Sequence, residues 1–169
     1  MVTTPATVQD MEVTARIHAD LDNRGLLPAE HLVDTACMDA QLVVAARAYG
    51  TEMFGPVRTD TTWQSANNGY TVDDFNIDWE HHQLTCPNGR TSPPWRETQR
   101  RGDPMIRVQF SALDCIPCPL RSRCTHSARY RQLTLLPKAE HEALGRLREE
   151  QTTTAREERY TVVHNPSGS

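Results

Sequence analysis

Apolar and polar positions along the chain alternate with two different periods. Over residues 8–24, Met11, Ala15, Ile17, Ala19 and Leu21 gather near one another at helical spacing, and Gly25 supplies a stop. His31, Leu32 and Val33 form a short apolar run ending at Asp34, as a buried strand does. A second helical pattern covers residues 38–48, with Leu42, Ala45 and Ala46 on its inner side and Gly50 closing it. Met53 to Val57 predicts another short strand, interrupted by Pro56. Helix, strand, helix, strand is an α/β pattern.

The texture changes at Arg58. From there to about Leu136 no helical period persists, and short strand-like runs alternate with turn residues. The predicted strands are Phe75–Trp79, Gln83–Cys86, Ile106–Phe110 and Gln132–Leu135. The turn signals are Asn67-Asn68-Gly69, Pro87-Asn88-Gly89 and Arg101-Gly102-Asp103-Pro104. Helical spacing returns from Pro137 to about Tyr160, with Ala139, Ala143, Leu144 and Leu147 as the inner stripe. The expected organisation is therefore an α/β segment over 1–57, a cysteine-rich β-containing region over 58–136 and a C-terminal helix over 137–160. A tail without packing residues, 161–169, is expected to be disordered.

Charge sharpens this division. The 169-residue chain carries a net −4, but residues 1–87 hold 4 Arg against 13 acids. Residues 88–131 reverse the balance, with nine Arg against three acids, a net +6. This basic island predicts contact with a nucleic-acid backbone through Arg90, Arg96, Arg100, Arg101, Arg107, Arg121 and Arg123. Guanidinium suits bidentate phosphate contact, although a GC-rich coding sequence produces the same bias toward Arg. No apolar run approaches the ~18 residues of a membrane span, and Met1 to Asp10 has no signal-peptide pattern. The expectation is a cytoplasmic protein with no membrane partner.

Four of the five cysteines fall in or beside the island. Cys115-Ile116-Pro117-Cys118 is a C-x2-C knuckle, whose two sulfurs share one tight turn. Cys86 and Cys124 stand at spacings that can complete four thiolates around a structural Zn2+, with His126 as a substitute ligand. The alternative is that all four are free, buried thiols. A four-thiolate site leaves no coordination position for water or substrate, and neighbouring Arg would offset its negative charge. Among other residues, Asp34 ends a strand, where α/β folds place functional side chains, and Asp39 reads as a helix cap. His81-His82 reads as a solvated turn and Cys37 as a small buried hydrophobe; Trp63 and Trp95 are core residues or platforms for stacked bases.

Three stretches, in order and spacing, carry a resemblance. The first is Thr3-Thr4-Pro5-Ala6-Thr7 with Gly25-Leu26-Leu27-Pro28-Ala29-Glu30-His31-Leu32-Val33-Asp34. The second is Phe75-Asn76-Ile77-Asp78-Trp79-Glu80 with Thr85-Cys86-Pro87-Asn88-Gly89. The third is Asp114-Cys115-Ile116-Pro117-Cys118-Pro119-Leu120-Arg121-Ser122-Arg123-Cys124 with Leu133-Thr134-Leu135. Together they resemble DDE-type transposases of bacterial insertion sequences, in the branch with a cysteine-bearing insertion. The resemblance implies a partial RNase H-like domain interrupted by a zinc-ribbon-like insertion and followed by a C-terminal helix. It implies DNA as partner, and Mg2+ held by three carboxylates that cut and rejoin phosphodiesters. Asp34 matches the second carboxylate. The first belongs before Thr3 and the third after Tyr160, and Ala36-Cys37 stand where the family favours Gly-Tyr. The chain is thus expected to be a piece of a transposase, cut at both ends and unable to catalyse strand transfer alone. A full-length transposase is a second expected partner. The alternative is a zinc-stabilised DNA-binding or regulatory module.

Overall fold

The computed structural model describes residues 10–35 and 38–153. The expectations for Cys37 and for the tail lie outside them. Contacts divide the chain into two units, one of residues 1–59 with 139–169 and one of residues 60–138.

In the first unit, α1 (Asp10–Asn23) leads to β1 (Glu30–Leu32), α2 (Ala40–Ala48) and β2 (Glu52–Phe54). The two strands pair in parallel, His31 opposite Met53, with α2 as the crossover. Asp39 caps α2, its Oδ1 accepting from Gln41 N–H at 2.8 Å. The buried face of α2 is Ala40, Leu42, Val43 and Ala46. Ala45, expected inside, is exposed, because the 100° step per residue puts Val43 and Ala46 on the stripe with Leu42. A late helix, α6 (Lys138–Gln151), buries Ala143 and Leu147 in the same core as Met38, Leu42, Val43, Met53 and Val57. Gln151 ties it further, Oε1 accepting from Val57 N–H at 2.6 Å. Ala139, expected on the inner stripe, is exposed. Pro137 precedes the helix rather than opening it, and the expected stretch beyond Thr153 lies outside the described residues.

The second unit holds two small antiparallel sheets. β3 (Asn76–Asp78) pairs with β4 (Gln83–Thr85) across a turn in which Asp78 accepts from the backbone of Glu80 and His81. β5 (Arg96–Arg100), β6 (Asp103–Gln109) and β7 (Gln132–Leu135) form the other, with β6 central. Short helical turns α3 (Trp63–Ala66), α4 (Ala112–Cys115) and α5 (Arg121–Cys124) fill a region expected to lack helix. Their four-residue length is too short to show a hydrophobic period. Ile106, Val108, Leu133 and Leu135 point to one side of the sheet and pack with Phe75, Leu84, Trp95 and Phe110. Trp95 is therefore a core residue, edge-on to Trp79 and stacked against His82.

Candidate nucleic-acid interface and cysteine cavity

Three chain segments deliver the four cysteines of the second unit. Cys86 leaves β4 into a tight turn, with Gly89 N–H donating to Cys86 O at 2.8 Å and Gly89 at φ +75°. Cys115 ends α4, and Cys118 N–H donates to Cys115 O at 3.3 Å, closing the knuckle. Cys124 ends α5. All four are free thiols, partly buried, and all four line one cavity of about 30 Å³ between Phe75 and Phe110. That is room for about one or two water-sized guests. Arg131 N–H donates to Cys115 Sγ at 3.4 Å.

Burial pushes the Cys124 thiol up to about 11; Arg131 pulls it back, and Cys115, Cys86 and Cys118 push it up further. The Arg131 guanidinium is itself below its ordinary value through burial, opposed by Cys124. It donates to Tyr70 O at 3.4 Å, and the Gln64 amide, with its oxygen turned toward Arg131, accepts from both terminal nitrogens. Arg131 Nε is buried without a partner among the described residues. His126, the expected substitute ligand, instead lies flat on Trp63 at 3.8 Å between ring centres. That stacking also covers one face of an aromatic ring considered for bases.

The basic island separates into two sets. Arg121 Nη2 donates to Ser127 O at 2.7 Å. Arg123 donates through Nε and Nη2 to Asn68 O, at 3.0 and 2.7 Å, and lies over the Tyr70 ring at 4.7 Å. Arg90 stands 3.8 Å from Asp114. These side chains, with Arg131, brace the loops around the cavity. Arg96, Arg100, Arg101 and Arg107 all lie on the β5–β6 hairpin, exposed, and their side chains make no hydrogen bond or ion pair to the described residues.

In the first unit Asp34 is exposed just past β1, next to Val33, whose N–H reaches Phe54 O at 2.8 Å. Asp39 is turned to its helix cap. Among the described residues no group of three or more His, Cys, Asp or Glu forms a ready metal-holding set. The four cavity cysteines therefore do not stand at metal-ligating positions, and the described carboxylates do not form the two-ion Mg2+ site that the resemblance implies; no step is derived through either ion.

Some features of this region carry little signal in sequence. The Arg123–Asn68–Tyr70 bracket joins residues more than fifty apart, and no local pattern marks it. In the first unit, buried His18 Nε2 lies 2.7 Å from His31 Nδ1, and two isolated histidines thirteen residues apart announce nothing.

A cysteine-lined β unit that carries the basic island and a small parallel β-α-β unit thus define a mixed α/β protein. Residues 85–165, just under half of the chain, match the family model described as a transposase DDE domain. Over that stretch the chain is similar to DDE-type transposases. No curated protein and no solved structure matches it. No helix among the described residues is long and apolar enough to cross a membrane.

Proposed function

We propose that this chain is a DNA-contacting portion of a DDE-type transposase, organised around a structural Zn2+ and acting without strand-transfer chemistry of its own. The observation that carries this reading is the overlap of the family match with the basic island and the cysteine-lined cavity. Metal would draw Cys86, Cys115, Cys118 and Cys124 inward around the small cavity they already line. A four-thiolate Zn2+ centre bears a net −2, and the half-buried Arg131, with its unpartnered Nε, stands ready to offset it. Such a centre would stabilise a unit whose helical turns are too short to hold themselves. Because the Cys124 thiol sits near 11 without metal, binding must expel its proton, and zinc affinity should fall steeply with acid.

Asp34 is the residue assigned to the parent family's metal chemistry. Alone it can hold Mg2+ only loosely, since that ion dehydrates reluctantly and needs several fixed oxygens. A full-length transposase that supplies the remaining carboxylates is the natural partner.

The test is to purify the chain with mild chelation, measure zinc by native mass spectrometry, and titrate labelled duplex DNA at several salt concentrations. One zinc per chain, duplex binding that weakens steeply with salt, and no Mg2+-dependent strand cleavage are expected. A metal-free protein that ignores duplex DNA, or cleavage abolished by Asp34→Ala, would refute the proposal.

A further inference from the structure

The outer face of the β5–β6–β7 sheet carries a charge arrangement that folding alone does not favour. Arg96 and Arg107 are directly opposite one another across the β5–β6 ladder. Directly opposed Cβ atoms on adjacent antiparallel strands lie about 4.5–5.5 Å apart, and like charges there repel. Neither guanidinium has an intramolecular acceptor among the described residues. Four residues along β5, Arg100 has an acid opposite it, Asp103, so the unbalanced charge is concentrated at the Arg96–Arg107 pair.

The rest of the face suits an anion. Ile106, Val108, Leu133 and Leu135 take the inner side, which leaves Arg107, Gln109, Gln132 and Thr134 exposed on the outer side. Thr134 is opposite Arg107 and Gln132 opposite Gln109. These side chains offer hydrogen-bond donors beside Arg107, and no acidic side chain falls in those two rows.

The hairpin tip adds a second, independent observation. The two residues between Arg100 and Asp103 both have positive φ, Arg101 at +55° and Gly102 at +96°. A two-residue hairpin of this kind favours Asn, Asp or Gly at its first central position. Arg gains nothing there from backbone preference, so its side chain is present against local conformational cost.

We propose that this sheet face is a docking surface for the sugar–phosphate backbone of duplex DNA, with Arg96 and Arg107 converging on one phosphate and Arg101 reaching a second from the hairpin tip. Phosphate between the paired guanidinium groups converts their repulsion into two charge-assisted contacts. The arginines that brace the cavity, Arg121, Arg123 and Arg131, are excluded from the surface because their donors are already used. This inference rests on the DNA-binding reading above and assigns that binding to one face.

The experiment compares Arg96→Gln/Arg107→Gln and Arg101→Asn with the full-length wild-type chain. Duplex DNA of arbitrary sequence is the probe, and the slope of log affinity against log salt is the readout. Each phosphate no longer neutralised should reduce the slope by about 0.9, so the double variant and Arg101→Asn should each lose about 1. Without DNA, both variants should melt no lower than wild type, because each relieves a local conflict rather than removing a support. Heparin in place of DNA tests polyanion capture as such, and an unchanged heparin slope in the double variant would overturn the surface. Wild type that binds DNA while the hairpin variants keep its slope would overturn this inference and leave the DNA reading standing. Wild type that does not bind DNA would overturn both.

Discussion

Two glycine-to-alanine substitutions within the first unit should move its stability in opposite directions. Gly55 follows β2 where the chain passes close to the end of β1. An added Cβ would overlap the Val33 carbonyl oxygen and lie 3.1 Å from its carbon and 3.3 Å from Met38 Cγ. Two of those atoms are backbone, and Val33 is itself held by its N–H bond to Phe54 O. Relief therefore requires the strand ends to separate, rather than a side chain to swing away. Overpacking of this kind costs about 1–3 kcal/mol. Gly145 lies inside α6 with nothing within 4 Å of an added Cβ. Alanine there removes a helix penalty and should gain up to about 1 kcal/mol.

The assay is urea denaturation followed by far-UV circular dichroism, since every described helix longer than four residues, α1, α2 and α6, belongs to the first unit. Trp63, Trp79 and Trp95 all lie in the second unit, so tryptophan fluorescence follows that unit separately. Gly55→Ala should lower the dichroism midpoint and Gly145→Ala should raise it, with the denaturant slope unchanged. Equal stability of Gly55→Ala and wild type would show that the β1–β2 approach is looser than described. A midpoint lowered by Gly145→Ala would refute the placement of α6.

Leu84 is fully buried in the second unit, so Leu84→Ala should cost about 2–5 kcal/mol, read by tryptophan fluorescence. Burial, reinforced by His31, holds His18 below its ordinary value of 6.5. The unfolded chain then binds a proton at pH values where the folded chain does not, and stability should fall as pH drops below about 6.5; His18→Gln should flatten that slope in denaturation curves taken from pH 7 to 5. In the metal-free protein, Cys124 should alkylate more slowly than the other three cavity cysteines at pH 8, because its thiol ionises near 11; equal rates by peptide mapping would contradict its burial. Hydrogen bonds from His81, chiefly from its backbone N–H, hold the Asp78 carboxyl below the usual range. Its carbon NMR titration should therefore end at a lower pH than that of an exposed aspartate.

Local patterns along this chain carry the parts of the fold that local physics controls. The helical spacing before Gly25 lies on α1, but Ala15 and Ile17, read as its inner side, are exposed and Thr14 and His18 are buried instead. The stripe of Leu42 and Ala46, and Ala143 with Leu147, each read as an amphipathic face, and each lies on a helix. The alternation in Gln132–Leu135 reads as a strand, with Leu133 and Leu135 inward. The C-x2-C spacing marks the knuckle, in which Cys118 N–H closes a local turn onto Cys115 O.

Other features depend on partners distant in sequence. Arg96–Arg100 has no apolar residue and no strand pattern; it is a strand because a two-residue turn folds it onto β6, whose Ile106 and Val108 are anchored in the core. Charge alone grouped nine arginines into one island, since composition cannot tell a guanidinium that braces a loop from one left facing solvent. For Arg123 and Arg131 that distinction rests on carbonyls at Asn68 and Tyr70, brought to them only when the chain folds back on itself, while Arg121 finds Ser127 O six residues on. The shared cavity of Cys86 and Cys124 with the knuckle depends on the same folding back. The burial of Cys124, and with it the charge it can carry, is set by the folded surroundings, in which nearby Arg131 and Cys115 are joined by the distant Cys86.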